Sequence, residues 1–294
     1  MDQVSRDTLA NYPEEWRYST NKGASAGLYF FPNTSKENAP VCLLYPAMGV
    51  KAIYYQDFAA HLSTVGFHVA CIDLLGHGSS SIRPSRQVNF SYWDLLEQNY
   101  NGAYQAIKAR FPHSPMYLMG HSLGGQIAAL HLSLHPKRYQ GLILVASCSV
   151  YYKGWQGWEA WAVLALTQMA PMISQLVGYF PGHQLGFAGK EARGVIKDWS
   201  RNARTGLYRL DKTAHNFEQS LGQIKHPILV LGIAGDRLAP PAAIANLHRK
   251  FAQAKVDYQS ISPQMANVKR LSHFSWVRQP QYFVQNISNW LEKT

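Results

Sequence analysis

Between Met116 and His135 the chain reads M-Y-L-M-G-H-S-L-G-G-Q-I-A-A-L-H-L-S-L-H. Four apolar residues (Met116 to Met119) run into Gly120-His121-Ser122-Leu123-Gly124-Gly125, and an alanine- and leucine-rich run with helical spacing follows at once. The pattern is a strand, a tight turn and a helix with a serine at the apex. Glycines two positions to either side of that serine let neighbouring backbone come close where a Cβ would collide. The helix aims its N-terminal N–H groups and its positive dipole end at any carbonyl oxygen that approaches the hydroxyl. Taken alone, G-x-S-x-G is also met by ordinary small-residue turns. The strand before it, the helix after it and the extra Gly125 make this one a nucleophile turn, with Ser122 as nucleophile.

Such a turn needs a sheet around it. Ala26–Phe31, Val41–Tyr45, His68–Ile72, Gly141–Ala146 and Pro227–Ile233 read as further strands, and a last short strand is expected near Val268–Leu271. Their continuous apolar runs suit strands covered on both faces. Helical spacing is found at Ile53–Val65, from a Ser91 cap through Leu95, Leu96, Tyr100 and Ile107, and at Ala242–Phe251 and Tyr282–Leu291. Alternating strands and helices predict an α/β fold, mostly parallel, with helices on both faces of the sheet. Residues 151–225 differ in character. They are aromatic and almost uncharged up to Gly189, then basic and helical, and they predict a helical cap inserted into a core formed by 1–150 and 226–294.

Gly120-His121-Ser122-Leu123-Gly124-Gly125 resembles the nucleophile turn of the α/β-hydrolase superfamily, whose chain order is serine, then acid, then histidine. That order implies Asp236 as the acid, in the turn that follows strand 227–233. The slot after the preceding strand holds only Ser147-Cys148-Ser149. His273, between the last expected strand and the closing helix, is the implied base, because His248 sits inside a helical pattern. Two N–H donors are needed for a developing oxyanion. Leu123, directly after the serine, and Met48, in Pro46-Ala47-Met48-Gly49-Val50, are the expected pair. The superfamily often carries His-Gly in that loop and this chain does not, but backbone donors require no particular side chain. Asp73 with Gly76-His77-Gly78 resembles the superfamily's D-x-x-G-x-G-x-S turn, where the role is structural. The Pro46–Val50 loop, the pair Tyr54-Tyr55 and Phe180-Pro181-Gly182-His183-Gln184-Leu185-Gly186 together resemble a sparsely characterised bacterial group of α/β hydrolases.

Composition removes several other classes. The polar start, Met1–Ala10, lacks the apolar core of a signal peptide. The most apolar stretch, Trp161–Ile173, is interrupted by Thr167, Gln168 and Pro171 and falls short of the ~20 residues of a membrane span. Three scattered cysteines (Cys42, Cys71, Cys148) fit core positions in a reduced, cytoplasmic protein rather than a disulfide framework. The net charge of +11 lies mostly in residues 151–294, which carry +9. No basic run exceeds a pair and no nucleic-acid-binding motif accompanies it, so nucleic acid is not an expected partner. No metal site, phosphate loop or cofactor motif is evident. A serine at the apex argues against dehalogenase or epoxide-hydrolase chemistry, which uses a carboxylate.

The expected function is hydrolysis of a small-molecule carboxylic ester through an acyl-enzyme, with an apolar acyl or aromatic substrate held beneath the cap. Tyr54, Tyr55, Trp158 and Trp161 are the expected substrate contacts. A thioesterase, an acyltransferase or a peptidase would use the same triad. A ligand-binding protein on a hydrolase fold is the alternative outside enzymes. The basic residues beside the apolar cap also allow a peripheral contact with anionic lipid.

Overall fold

The computed structural model describes residues 13–294. The reading of Met1–Ala10 therefore lies outside the described residues. Among the described residues, eight strands form one sheet: β1 (Glu14–Ser19), β2 (Ser25–Phe31), β3 (Val41–Tyr45), β4 (His68–Ile72), β5 (Met116–His121), β6 (Gly141–Val145), β9 (Ile228–Ile233) and β10 (Val256–Ile261). They lie in the order β1-β2-β4-β3-β5-β6-β9-β10. The β1–β2 and β2–β4 pairs are antiparallel, and all pairs from β4 to β10 are parallel. Every residue of β3, β4, β6 and β9 is buried. Continuous apolar runs of this kind are what strands with helices on both faces require. This is the α/β-hydrolase fold.

The strand expected near Val268–Leu271 is not there. Residues 263–274 form turns and irregular backbone, and the eighth strand is β10, a half-exposed edge reading V-D-Y-Q-S-I. An edge strand with one wet face has no continuous apolar run, so it gives a weaker signal than the central strands. β1, reading E-E-W-R-Y-S at the opposite edge, escapes recognition for the same reason.

The helices follow the sequence spacing. They are α1 (Gln56–Thr64), α2 (Tyr92–Asp94), α3 (Asn101–Arg110), α4 (Leu123–Leu134), α8 (Pro241–His248) and α9 (Gln281–Leu291). Ser91 caps α2 as expected: Asp94 Oδ2 accepts from the Ser91 N–H at 2.9 Å and from its hydroxyl at 2.8 Å. A π-helical turn, Leu95–Tyr100, joins α2 to α3. Asp73 is wholly buried and accepts from the N–H groups of Ala52 and Ser79, both at 2.8 Å. It ties the loop after β3 to the turn after β4, a structural task.

Between β6 and β9 the chain leaves the sheet. This insertion holds α5 (Gly157–Val177), the two-residue strands β7 (Phe180–Pro181) and β8 (Lys190–Glu191), α6 (Arg193–Thr205) and α7 (Phe217–Gly222). The interruptions at Thr167, Gln168 and Pro171 do not end α5. It runs for 21 residues, long and apolar enough by length and composition to cross a membrane, and Pro171 sits inside it. The expectation that this stretch is too short is therefore corrected. In the fold α5 packs along one side on α6 and leaves most of its surface bare.

Candidate active site

Ser122 sits at the junction of β5 and α4 with φ 53° and ψ −118°. A residue with a Cβ rarely adopts this conformation, so the surrounding backbone must impose it. The glycines show how. A Cβ at Gly120 would lie 2.3 Å from Gly125 Cα, and one at Gly124 would lie 2.3 Å from the Tyr45 carbonyl oxygen. Only bare backbone lets the first turn of α4 press against β3 and β5 this closely, and that pressure turns the serine outward.

Asp236 lies in the turn just past β9 and is buried. Its Oδ1 accepts from the Leu238 N–H at 2.9 Å, and its Oδ2 pairs with His273 Nδ1 at 2.7 Å. His273 is buried too, in the irregular segment between β10 and α9. Ser122 and His273 both border one cavity of about 360 Å³, together with Met48 and Leu123. The fold therefore brings five of the expected residues to one place from four loops. Among the described residues, neither the Leu123 nor the Met48 N–H has a hydrogen-bond partner. Asp211, one of the carboxylates of the insertion's basic segment, is exposed and paired with Lys197 and Arg201.

The four expected substrate contacts are elsewhere. Trp158 and Trp161 point outward from α5, and neither borders the cavity. Tyr54 faces a separate surface depression and donates to the Phe274 carbonyl at 2.9 Å. Tyr55 is fully buried and does something else: its oxygen accepts from the Ala47 N–H at 2.9 Å, and its hydroxyl meets His121 Nδ1 at 2.7 Å. Burial pushes its phenol pKa far up, so the hydroxyl keeps its proton and donates it to His121. Burial likewise holds the His121 imidazole well below the usual histidine range, with His273 adding to the effect. The two imidazole rings lie 4.8 Å apart. One buried phenol thus links the loop carrying Met48 to the residue preceding Ser122, and that residue backs His273.

The cavity wall is instead built from Val163, Leu166, Phe187, Trp199, Leu238 and Phe274. For two of these the signal was proximity in the chain, since Leu238 and Phe274 stand beside Asp236 and His273. Val163 and Leu166 lie on the apolar stretch of α5. Cys148 joins the wall as well, and the other two cysteines are core residues of β3 and β4; all three are free. Among the described residues, the one charged side chain at the rim, Arg237, is paired with Glu159 at 2.5 Å.

Residues 36–264 match the model of the family described as serine aminopeptidase, S33. The chain belongs to the S33 serine aminopeptidase family. Within curated proteins, this S33 chain is 33% identical over 112 residues to a probable 1-acylglycerol-3-phosphate O-acyltransferase of Oryza sativa subsp. japonica, covering 38% of the chain and 26% of that protein. It is 31% identical over 94 residues to the monoglyceride lipase of Rattus norvegicus, covering 31% and 29%. The matches thus span between a quarter and a third of those relatives' lengths. A thermophilic esterase from Thermogutta terrifontis superposes with a TM-score of 0.64 at 19% identity, over 95% of this chain and 98% of the other. At that identity the likeness is one of fold.

Proposed function

We propose that this S33 chain is a serine hydrolase that cleaves carboxylic esters with an apolar acyl group, through an acyl-enzyme. The observation that carries the reading is the His273–Asp236 pair at 2.7 Å on the wall of the apolar cavity that Ser122 borders. Ser122 attacks the ester carbonyl while His273 takes its proton through Nε2. Asp236, bonded to Nδ1, fixes the ring and stabilises the imidazolium. The N–H groups of Leu123 and Met48 hold the oxyanion, and His273 then protonates the leaving alcohol. Water, activated by the same imidazole, releases the acid. The insertion between β6 and β9 serves as a cap, with Val163 and Leu166 of α5 and Phe187 roofing the acyl site. The closer kinship with the bacterial group that shares the Pro46–Val50 loop belongs to this reading.

An aminopeptidase, the activity in the family's name, must hold a free α-ammonium group. Among the described residues bordering the cavity, no carboxylate is placed to receive one, and Glu159 just outside it is tied to Arg237. The ester reading is favoured for that reason. An acyltransferase or thioesterase differs only in the acceptor or leaving group. The discriminating experiment is a series of activated esters from acetyl to octanoyl, with labelling by a fluorophosphonate. Each methylene buried adds about 0.8 kcal/mol, so kcat/KM should climb roughly three- to fourfold per carbon until the cavity is full. A flat or falling series rejects the acyl site, and absence of label on Ser122 rejects the nucleophile.

A further inference from the structure

The helix α5 is built inside out. Its three buried residues are Thr167, Ala170 and Ser174. Trp158, Trp161, Leu166, Met169, Met172 and Leu176 face solvent, from 50% exposed at Leu166 to 76% at Leu176. At 3.6 residues per turn these six share one arc of about 140°, and they extend about 27 Å along the axis. A helix whose outer face met only water would carry the reverse pattern. The helix has a single charged residue, Glu159, which is already paired with Arg237 at the flank.

We propose that this face docks on an anionic lipid bilayer, with α5 lying in the plane of the interface. Two further observations name that occupant. First, the bare face is continuous with the mouth of the cavity: Leu166 belongs to both, and Leu238 and Phe274 are partly exposed cavity residues. Second, cations flank both ends of the stripe. Lys153, beside the Tyr152 ring that neighbours Trp161, lies near the start of α5. Arg86 donates to the Leu176 carbonyl at the far end, and Lys190 sits 4.1 Å from the Tyr179 ring. Apolar area flanked by cations is what an anionic interface recognises, and indole rings favour the headgroup level. A second copy of the chain fits less well, because two-fold pairing of this stripe would set cations against cations. Delivery of an acyl substrate from the bilayer into the cavity rests on the proposed function, whereas the docking does not.

Sedimentation with phosphatidylcholine vesicles, with or without phosphatidylglycerol, tests the docking on the full chain. Binding is expected to the anionic vesicles and to weaken with salt. A double variant, Met172→Glu with Leu176→Glu, places charge on the exposed stripe away from the cavity and should cut binding at least about tenfold. Its circular dichroism and its turnover of a water-soluble short-chain ester should match the parent. If that turnover is absent from parent and variant alike while vesicle binding still separates them, the proposed activity fails and the docking stands. Equal sedimentation of parent and variant, or failure of the parent to sediment with either vesicle, overturns the docking. So does light scattering that shows a dimer which the variant splits, and the face is then an interface between copies.

Discussion

Two apolar helices, α4 and α5, meet opposite fates in this molecule. In α4 every residue from Leu123 to Ser133 is buried, while in α5 only Thr167, Ala170 and Ser174 are. Composition does not separate them, for both are rich in Ala and Leu and nearly free of charge. Position does. The glycines at 120, 124 and 125 let α4 lie against β3 and β5 at close range, and α7 closes over its other side. α5 has α6 along one side and water along the other. The lesson is that an apolar helix announces contact with something apolar. Whether that something belongs to the same chain depends on whether the sequence supplies bare backbone for close packing.

The sharpest way to break this contrast acts at the head of α4. Ser122→Ala should remove nearly all ester turnover, by several orders of magnitude, with near-ultraviolet circular dichroism unchanged. Residual turnover close to the parent would move the chemistry elsewhere. The next contrast is in stability. Leu130→Ala, in the enclosed stretch of α4, should cost about 2–5 kcal/mol in denaturant unfolding. Met172→Ala on α5 should fall within about 0.5 kcal/mol of the parent. Comparable losses would mean that the outer face of α5 is covered in the monomer.

A subtler effect is expected from Tyr55→Phe, which removes the hydroxyl that serves both the Ala47 N–H and His121. An unsatisfied buried group costs about 1–3 kcal/mol. If the loss falls on the loop carrying Met48, kcat should drop roughly tenfold with KM nearly unchanged, a split that a merely destabilised fold would not give. The smallest effect concerns how the insertion is seated. His77 and Glu191, both buried, pair at 2.9 Å between the turn after β4 and β8. Burial alone would lower the His77 pKa, but the Glu191 carboxylate outweighs it and the net direction is upward from 6.5. A raised histidine pKa gives stability that is complete below its unfolded value and is lost as pH rises through the folded one. The parent's melting temperature should therefore fall over that window, and Glu191→Gln should flatten the fall. A pH-independent parent would show that the pair carries no charge.

Much of this was legible in the chain itself, for reasons that differ by residue. Ser122 stands in a turn whose glycines have one steric purpose, so a local pattern locates it. Asp236 and His273 lie 114 and 151 positions further along the chain and are joined to it only by the fold. They were reached through the chain order that the superfamily resemblance implies, even though one expected strand was misplaced. The lining of the cavity was not accessible in this way. Trp158, Trp161 and Tyr55 are large aromatic residues in the right segments, but facing direction decides their use, and it depends on which side of α5 meets α6 and which side of the 3₁₀ turn Ala52–Tyr55 meets the sheet. Half-exposed edge strands such as β1 and β10 were hidden because alternation over six residues resembles a loop.

Gly49 adjoins Met48, and a Cβ there would lie 2.5 Å from the Ala188 carbonyl carbon and 2.6 Å from the Gly189 nitrogen. The insertion thus rests its tip on the loop after β3 with backbone against backbone. In terms of inheritance, the two segments are not interchangeable parts. A graft that brought in another insertion would need a tip that tolerates the same contact, and a residue with a side chain at position 49 would shift either the tip or the Met48 N–H. Recombination at the β6 and β9 boundaries, where the chain looks most divisible, would therefore succeed only when residues 46–50 travel with the segment that covers them.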